Sequence, residues 1–253
     1  MAPLRVYNVE GVVLRRTDLG EADRIVTLYT PQIGKLRAVA KGVRRPTSRL
    51  GGHLELFTHS RLLLARGREL DIITQAETVH SFIGLRDDLW RAALACYAAE
   101  LVDRLTQEHS PDAAAFELLL QTLGRIAESR APELAVRFCV VQLLGHMGYR
   151  PQLVACVNCG ELLGPTSNFF SAAAGGVLCL ACGQSDAGAR GLSTSAFKLL
   201  RLFQAGDWAT TARLRIGEGL RRELDRVLEG YVEHVLEREV KSGRLLEALR
   251  AET

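Results

Sequence analysis

Asp23-Arg24-Ile25-Val26-Thr27-Leu28-Tyr29-Thr30-Pro31-Gln32-Ile33-Gly34-Lys35-Leu36-Arg37-Ala38-Val39-Ala40 sets the architecture of the first third of the chain. Residues 24–30 and 34–40 are rich in β-branched and aliphatic side chains, and residues 31–34 between them carry turn chemistry. Outward from this pair, residues 7–16, 58–65 and 69–77 read as further strands, with alternation visible at Val9, Val12 and Leu14. Asp18-Leu19-Gly20 and Arg66-Gly67-Arg68 supply two more turns. Five short strands within about eighty residues predict a small closed barrel, either oligonucleotide-binding (OB) or SH3-like.

From about Ser81 the apolar period lengthens from two to near 3.6. Leu85, Leu89, Trp90, Ala93, Leu94, Tyr97, Leu101 and Leu105 make one stripe of a long helix. Ser110-Pro111-Asp112 predicts the start of a second helix, with Ser110 as the capping hydroxyl, Pro111 at the first helical position and a carboxylate in the first turn. A third runs from about Pro132 and stops at Gly148, with Pro151 beyond. After a polar, glycine-bearing excursion in which Gly175-Gly176 turns the chain, helices are expected over residues 192–204, capped by Ser193 or Thr194, then 208–216 and 220–240.

That excursion holds the sharpest chemical signal. Cys156-Val-Asn-Cys159-Gly160 and Cys179-Leu-Ala-Cys182-Gly183 are two matched pairs with nineteen residues between them. Each CxxC turn aims two sulfurs at one point, so Cys156, Cys159, Cys179 and Cys182 are the expected ligands of one structural Zn2+, and each following glycine is expected to let the chain reverse. Four protein ligands leave the ion no open position for substrate. A redox or disulfide use of the pairs is the rival reading. Cys96 and Cys139 stand apart in apolar helical surroundings and read as buried, inert thiols.

With 253 residues, 47% hydrophobic and 24% charged, the chain is a globular protein of ordinary composition, and its formal net charge is only +3. The distribution is uneven. Between Lys35 and Arg68 nine basic residues face Glu55 alone, which leaves the rest of the chain net acidic and points to one face that attracts a polyanion. Lys41-Gly42-Val43-Arg44-Arg45-Pro46-Thr47-Ser48-Arg49, following the strand at 34–40, is the centre of that charge, and arginine forks in a Gly- and Pro-bearing loop suit phosphate oxygens. The barrel offers few aromatics, Tyr7, Tyr29 and Phe57 before Phe82, and each reads as core, so phosphate contact is expected to dominate.

Asp18, Glu21 and Asp23 cluster around one turn and raise the alternative of a magnesium-dependent nuclease, although a polar turn with Arg16 and Arg24 as partners is the simpler reading. A zinc-dependent DNA-binding regulator is a second alternative. No GxxxxGK[ST], HExxH or GxSxG motif occurs, and the six histidines are scattered, so no enzyme is expected. No stretch approaches a membrane span, and Met-Ala-Pro-Leu-Arg-Val lacks the basic start and apolar run of a signal peptide, so a cytoplasmic protein with no membrane partner is expected.

Taken together, several runs resemble the bacterial RecO recombination-mediator family over nearly the whole length. They are residues 20–28 (Gly-Glu-Ala-Asp-Arg-Ile-Val-Thr-Leu), residues 34–46 (from Gly34-Lys35-Leu36-Arg37 to Arg44-Arg45-Pro46), Ser48-Arg49-Leu50-Gly51-Gly52, Gln75-Ala76-Glu77, Gly148-Tyr149-Arg150-Pro151 and Gly175-Gly176-Val177-Leu178-Cys179. The resemblance implies an α+β protein: an N-terminal OB-fold barrel (1–80), an α-helical domain in two parts (81–152 and 186–253) and an inserted four-cysteine zinc module (153–185). It implies a nucleoid-associated protein that binds single- and double-stranded DNA, anneals complementary strands and, with RecR, helps load RecA onto DNA coated by single-strand-binding protein. The DNA-binding role then falls on Arg24, Lys35, Arg37, Lys41, Arg44, Arg45 and Arg49, and the metal role on the four paired cysteines. The acidic, apolar tail of the coating protein would need an apolar groove with a nearby cation on the helical domain.

Overall fold

A computed structural model describes residues 6–251. Five strands, β1 (Val6–Leu19), β2 (Asp23–Thr30), β3 (Gly34–Ala40), β4 (His59–Ala65) and β5 (Asp71–His80), close a barrel in the order β1-β2-β3-β5-β4. This is the OB arrangement and not the SH3-like one. A bulge between Val13 and Arg15 bends β1, so its earlier half pairs with β4 and its later half with β2. Val9, Val13, Val26, Leu28, Leu36, Ala38, Leu62, Leu64 and Ile73 fill the interior, and Val43 and Leu54 join them from the β3–β4 connection.

The barrel closes on a parallel pair, β3 with β5, that covers only Ala38–Asp71 and Val39–Ile72. The remaining edge of β3 is taken by chain that follows α1 (Leu89–Leu105): Lys35 bridges Glu108, and the Lys35 carbonyl accepts from the His109 amide at 2.9 Å. At Gly34 the approach is so close that a Cβ would lie 2.1 Å from the Ser110 carbonyl oxygen, and its φ of 80° is in the left-handed region. Helix α2 (Ala113–Glu128) packs with α1 against the barrel wall. Its cap is Asp112, whose Oδ1 accepts from the Ala115 amide at 2.9 Å, and not the expected Ser110, whose backbone is engaged at Gly34. Contacts divide the chain into two compact units between Glu128 and Ser129.

In the second unit, α3 (Pro132–His146), α5 (Thr194–Ala205) and α7 (Glu218–Leu236) pack on one another. Phe138 meets Phe203 edge-on at 6.4 Å and Trp208 at 5.4 Å. The buried Arg137 forks onto Asp225, Nε to Oδ1 at 2.7 Å and Nη2 to Oδ2 at 2.8 Å, which ties α3 to α7 with fixed geometry. Ser193 caps α5, and both its amide and its hydroxyl donate to Glu223 of α7. Between α3 and α5 the chain makes a small sheet, β7-β6-β8, from β6 (Asn168–Ser171), β7 (Gly176–Leu178) and β8 (Arg190–Leu192), with the short helix α4 (Leu180–Gln184) against it.

The helix expected over 208–216 is the single turn α6 (Trp208–Thr211), because Leu214 and Ile216 alternate with Arg213 and Arg215 at period two and offer no helical stripe. The helix expected to reach residue 240 stops at Leu236, where Glu237 takes a φ of 52°. A separate α8 (Lys241–Ala251) follows, anchored by the buried Leu246 and by Arg250, whose Nη1 lies 3.1 Å from Asp225 and 3.5 Å from Glu229. Among the described residues no helix is long and apolar enough to cross a membrane.

Gly34→Ala is expected to destabilise the chain by about 2–4 kcal/mol in urea unfolding, from left-handed strain plus displacement of the 107–110 segment. Burial, then the charge of Asp225, pushes the Glu229 carboxyl from its ordinary 4.5 up to about 7. The folded state therefore holds this proton more tightly, and the associated stability is full below 4.5 and lost as pH rises through about 7. Glu229→Gln is expected to gain roughly 2 kcal/mol over the parent at pH 8 and nothing at pH 4.5, read from unfolding midpoints at the two pH values.

Candidate nucleic-acid interface and metal centre

The register places the β1–β2 and β3–β4 connections on one rim of the barrel, and the stagger of β5 brings the end of the β4–β5 turn beside the last residues of β3. Leu19 faces Asp23 across the β1–β2 turn, Arg24 pairs with Ala40 where the β3–β4 connection begins, and Ala38 pairs with Asp71 where the β4–β5 turn ends. The basic loop is built onto this rim and is not a free excursion. Asp23 Oδ1 accepts from the Gly42 amide at 2.7 Å, the Ala22 carbonyl accepts from the Arg44 amide at 2.9 Å, and Val43 is buried in the barrel core. Gly42, at φ 64°, makes the reversal that Asp23 then holds.

The seven cations named from the sequence fall into three groups. Lys41, Arg45 and Arg49 are exposed and make no ion pair among the described residues. Arg24 and Arg44 share Asp18, at 2.9 Å and 3.5 Å, and Arg44 Nη1 also donates to the Gly20 carbonyl at 3.1 Å. Hydrogen bonding from Arg24 foremost, helped by the charge of Arg44, holds the Asp18 carboxyl below the usual carboxylate range. Lys35 and Arg37 face elsewhere: Lys35, with 13% of its side chain exposed, lies 3.2 Å from Asp103, and Arg37 lies 3.1 Å from Glu108.

The carboxylates that neutralise Lys35 and Arg37 come from the α1 end, some seventy residues along the chain, where no local charge count registers them. Asp18 and Asp23 are likewise engaged, one by arginines and the other by the loop backbone. With Glu21 they are not gathered closely enough to share an ion: among the described residues the four-cysteine group alone is.

In that group the four sulfurs lie within 4.8 Å of one another, and Cys159 and Cys179 are 3.8 Å apart, close to the roughly 3.8 Å edge of a tetrahedron built on metal–sulfur bonds of about 2.3 Å. Gly160, at φ 78°, reverses the first pair, with its amide donating to the Cys156 carbonyl at 2.9 Å. Gly183 plays a different part: its φ is not left-handed, and a Cβ there would strike the Phe169 ring at 2.3 Å. Burial alone would raise the Cys156 thiol, but amides of Cys159, Cys179 and Asn158 bring it down to about 6. The Glu161 amide favours a Cys159 thiolate, yet the Cys156 sulfur, burial and the remaining sulfurs outweigh it and push that thiol up to about 12. Without a cation the sulfurs cannot all ionise together. A dication removes that conflict, so these residues can hold a metal ion. Cys139 is buried as expected, whereas Cys96 is only half-buried, with burial and then the charge of Glu100 raising its thiol.

The sequence matches two family models, described as Recombination protein O N terminal over residues 1–82 and Recombination protein O C terminal over residues 86–244. It is 45% identical over 246 residues to the DNA repair protein RecO of Roseiflexus sp. strain RS-1, covering 97% of this chain and 87% of that one. It is 40% identical to the protein of the same name from Symbiobacterium thermophilum, over 98% and 99% of the two chains, and 37% identical to that of Dehalococcoides mccartyi strain BAV1, over 96% of each.

Because all four thiols must lose protons together, metal affinity is expected to fall steeply as pH drops from 8 to 6, with protons released on binding. Cys159→Ser with Cys182→Ser is expected to abolish metal uptake, measured by elemental analysis, and to lower the melting temperature.

Proposed function

The chain belongs to the recombination protein O family, and from that premise we propose that it is a non-catalytic mediator of DNA repair and recombination. It binds single- and double-stranded DNA, anneals complementary strands and, with RecR, assists RecA loading on DNA coated by single-strand-binding protein, in the cytoplasm at the nucleoid. The observation that carries this reading is the loop pinned to the barrel rim by Asp23 and Val43, which presents Lys41, Arg45 and Arg49 without ion-pair partners among the described residues. Phosphates on two strands repel, and cations at the rim lower that repulsion so that pairing can nucleate.

Arg24 and Arg44 extend the contact where phosphate competes with Asp18. Lys35 and Arg37 contribute only if DNA displaces Asp103 and Glu108, so they rank last. The ion held by Cys156, Cys159, Cys179 and Cys182 is Zn2+ in a structural role, favoured by four soft ligands in a closed set. A nuclease at Asp18, Glu21 and Asp23 is disfavoured because Asp18 is engaged by arginines, Asp23 by the loop backbone, and the three are not gathered around one point. A duplex-reading regulator is disfavoured by α4, whose Leu-Ala-Cys-Gly-Gln offers no cation to a groove.

For the coating protein's tail, support comes from a cavity of about 640 Å³ in the C-terminal unit, lined by Arg130, Arg137, Arg213 and Arg215 together with Leu134 and Leu214. Arg137 Nη1 is buried there without a hydrogen-bond partner among the described residues.

Replacing Lys41, Arg45 and Arg49 together with alanine is expected to flatten the slope of log affinity against log salt by about 2 for single strands, at roughly 0.7 per phosphate contact. The parent should accelerate annealing of oligonucleotides coated with single-strand-binding protein without ATP or magnesium, and the triple variant should not. An unchanged slope would remove the loop from the assignment.

A further inference from the structure

The strand that leads into the basic loop has the end of the β4–β5 turn beside it: Asp71 pairs with Ala38, two residues before β3 ends at Ala40, and Ala65 pairs with Ile72. At this turn the guanidinium of Arg66 lies over the face of Tyr7, its Cζ 4.3 Å from the ring centroid. Asp71 holds both. The Tyr7 hydroxyl donates to its Oδ2, Arg66 Nη1 lies 3.4 Å from the same oxygen, and the Gly67 amide donates to Oδ1 at 3.1 Å. Burial, then the bond to Asp71, pushes the Tyr7 hydroxyl up to about 12, so it remains a donor throughout the neutral range. The turn itself has little freedom, since a Cβ at Gly67 would lie 1.9 Å from the Leu70 carbonyl oxygen.

One side of the guanidinium therefore rests on an aromatic ring, while 61% of the Arg66 side chain stays open to solvent. Tyr29, Phe57 and Phe82 are buried and offer no such surface. A planar cation backed by a ring and oriented by a carboxylate is a surface on which a nucleobase stacks, whatever its identity, because every base has a π-face. A base already stacked inside a duplex is not available to it.

We propose that Tyr7 and Arg66 form a stacking platform for one unpaired base of a single DNA strand whose phosphates run along the loop at 41–49. This rests on the DNA-binding reading above and adds to it a distinction between single strands and duplex that phosphate contacts alone do not supply.

The test compares two strands of equal length and phosphate number, oligo-dT and an abasic tetrahydrofuran strand, for binding to the full chain at fixed salt. The parent is expected to prefer oligo-dT roughly five- to tenfold, the lower part of the range for one stacked base. Arg66→Lys keeps the charge and loses the plane, and Tyr7→Leu keeps the apolar contact and loses the ring; each is expected to bring the two strands to parity with the salt slope unchanged. Equal binding of both strands by the parent, or full preference retained in Arg66→Lys, overturns the platform and leaves the DNA reading standing. Binding of neither strand overturns both.

Discussion

A five-stranded barrel of this order must close where β3 meets β5, the one place where two strands run parallel, and here that seam is only two residue pairs long. Everything else in the first unit adjusts to this short closure. The open half of the β3 edge would leave backbone groups unpaired, so the chain after α1 is laid along it, and the fit requires a glycine at position 34. The last turn of α1 delivers Asp103 to Lys35, and the segment after it delivers Glu108 to Arg37. A need of the backbone thus decides which cations of the barrel remain available to a ligand.

The barrel was legible because strand alternation and turn chemistry are local: the turn at 31–34 and the runs on either side of it lie in one window. The four cysteines were legible because two short spacings carry the whole geometry. What sequence reasoning missed is non-local. Nothing near Lys35 announces a partner sixty-eight positions away, and a charge count over residues 35–68 includes Lys35 and Arg37 as though they were free. The cap at Asp112 was misassigned to Ser110 for the same reason, since Ser110 is drawn to Gly34 by a contact outside its own helix. The sheet β7-β6-β8 was missed because strands of three or four residues show too little alternation to register, and α8 because Glu237 breaks a charged stretch that otherwise reads as continuous helix. Tyr7 packs against the barrel core as expected, and what composition does not show is the arginine laid over its ring.

The insert between α3 and α5 has its own logic. Three short strands and a five-residue helix make a small core of their own, and segments of that size need a cross-link of some kind to hold one conformation. The four sulfurs supply the place for one. Gly160 and Gly183 are required for unlike reasons, a reversed backbone at the first and the flat contact of Phe169 at the second, so the two outwardly matched pairs are not interchangeable halves.

Pairing Lys35 and Arg37 with acids also shapes the field around the barrel. Opposite charges about 3 Å apart cancel at a distance, so at physiological ionic strength, with a screening length of about 8 Å, the wall contributes little to the potential outside it. In the loop at 41–49, Lys41, Arg45 and Arg49 keep their charge uncancelled on a support already fixed by Asp23. Under the proposed function, a strand diffusing toward the barrel would be drawn to one rim and turned as it arrives, so that the directionality of its capture would be set before any contact is made.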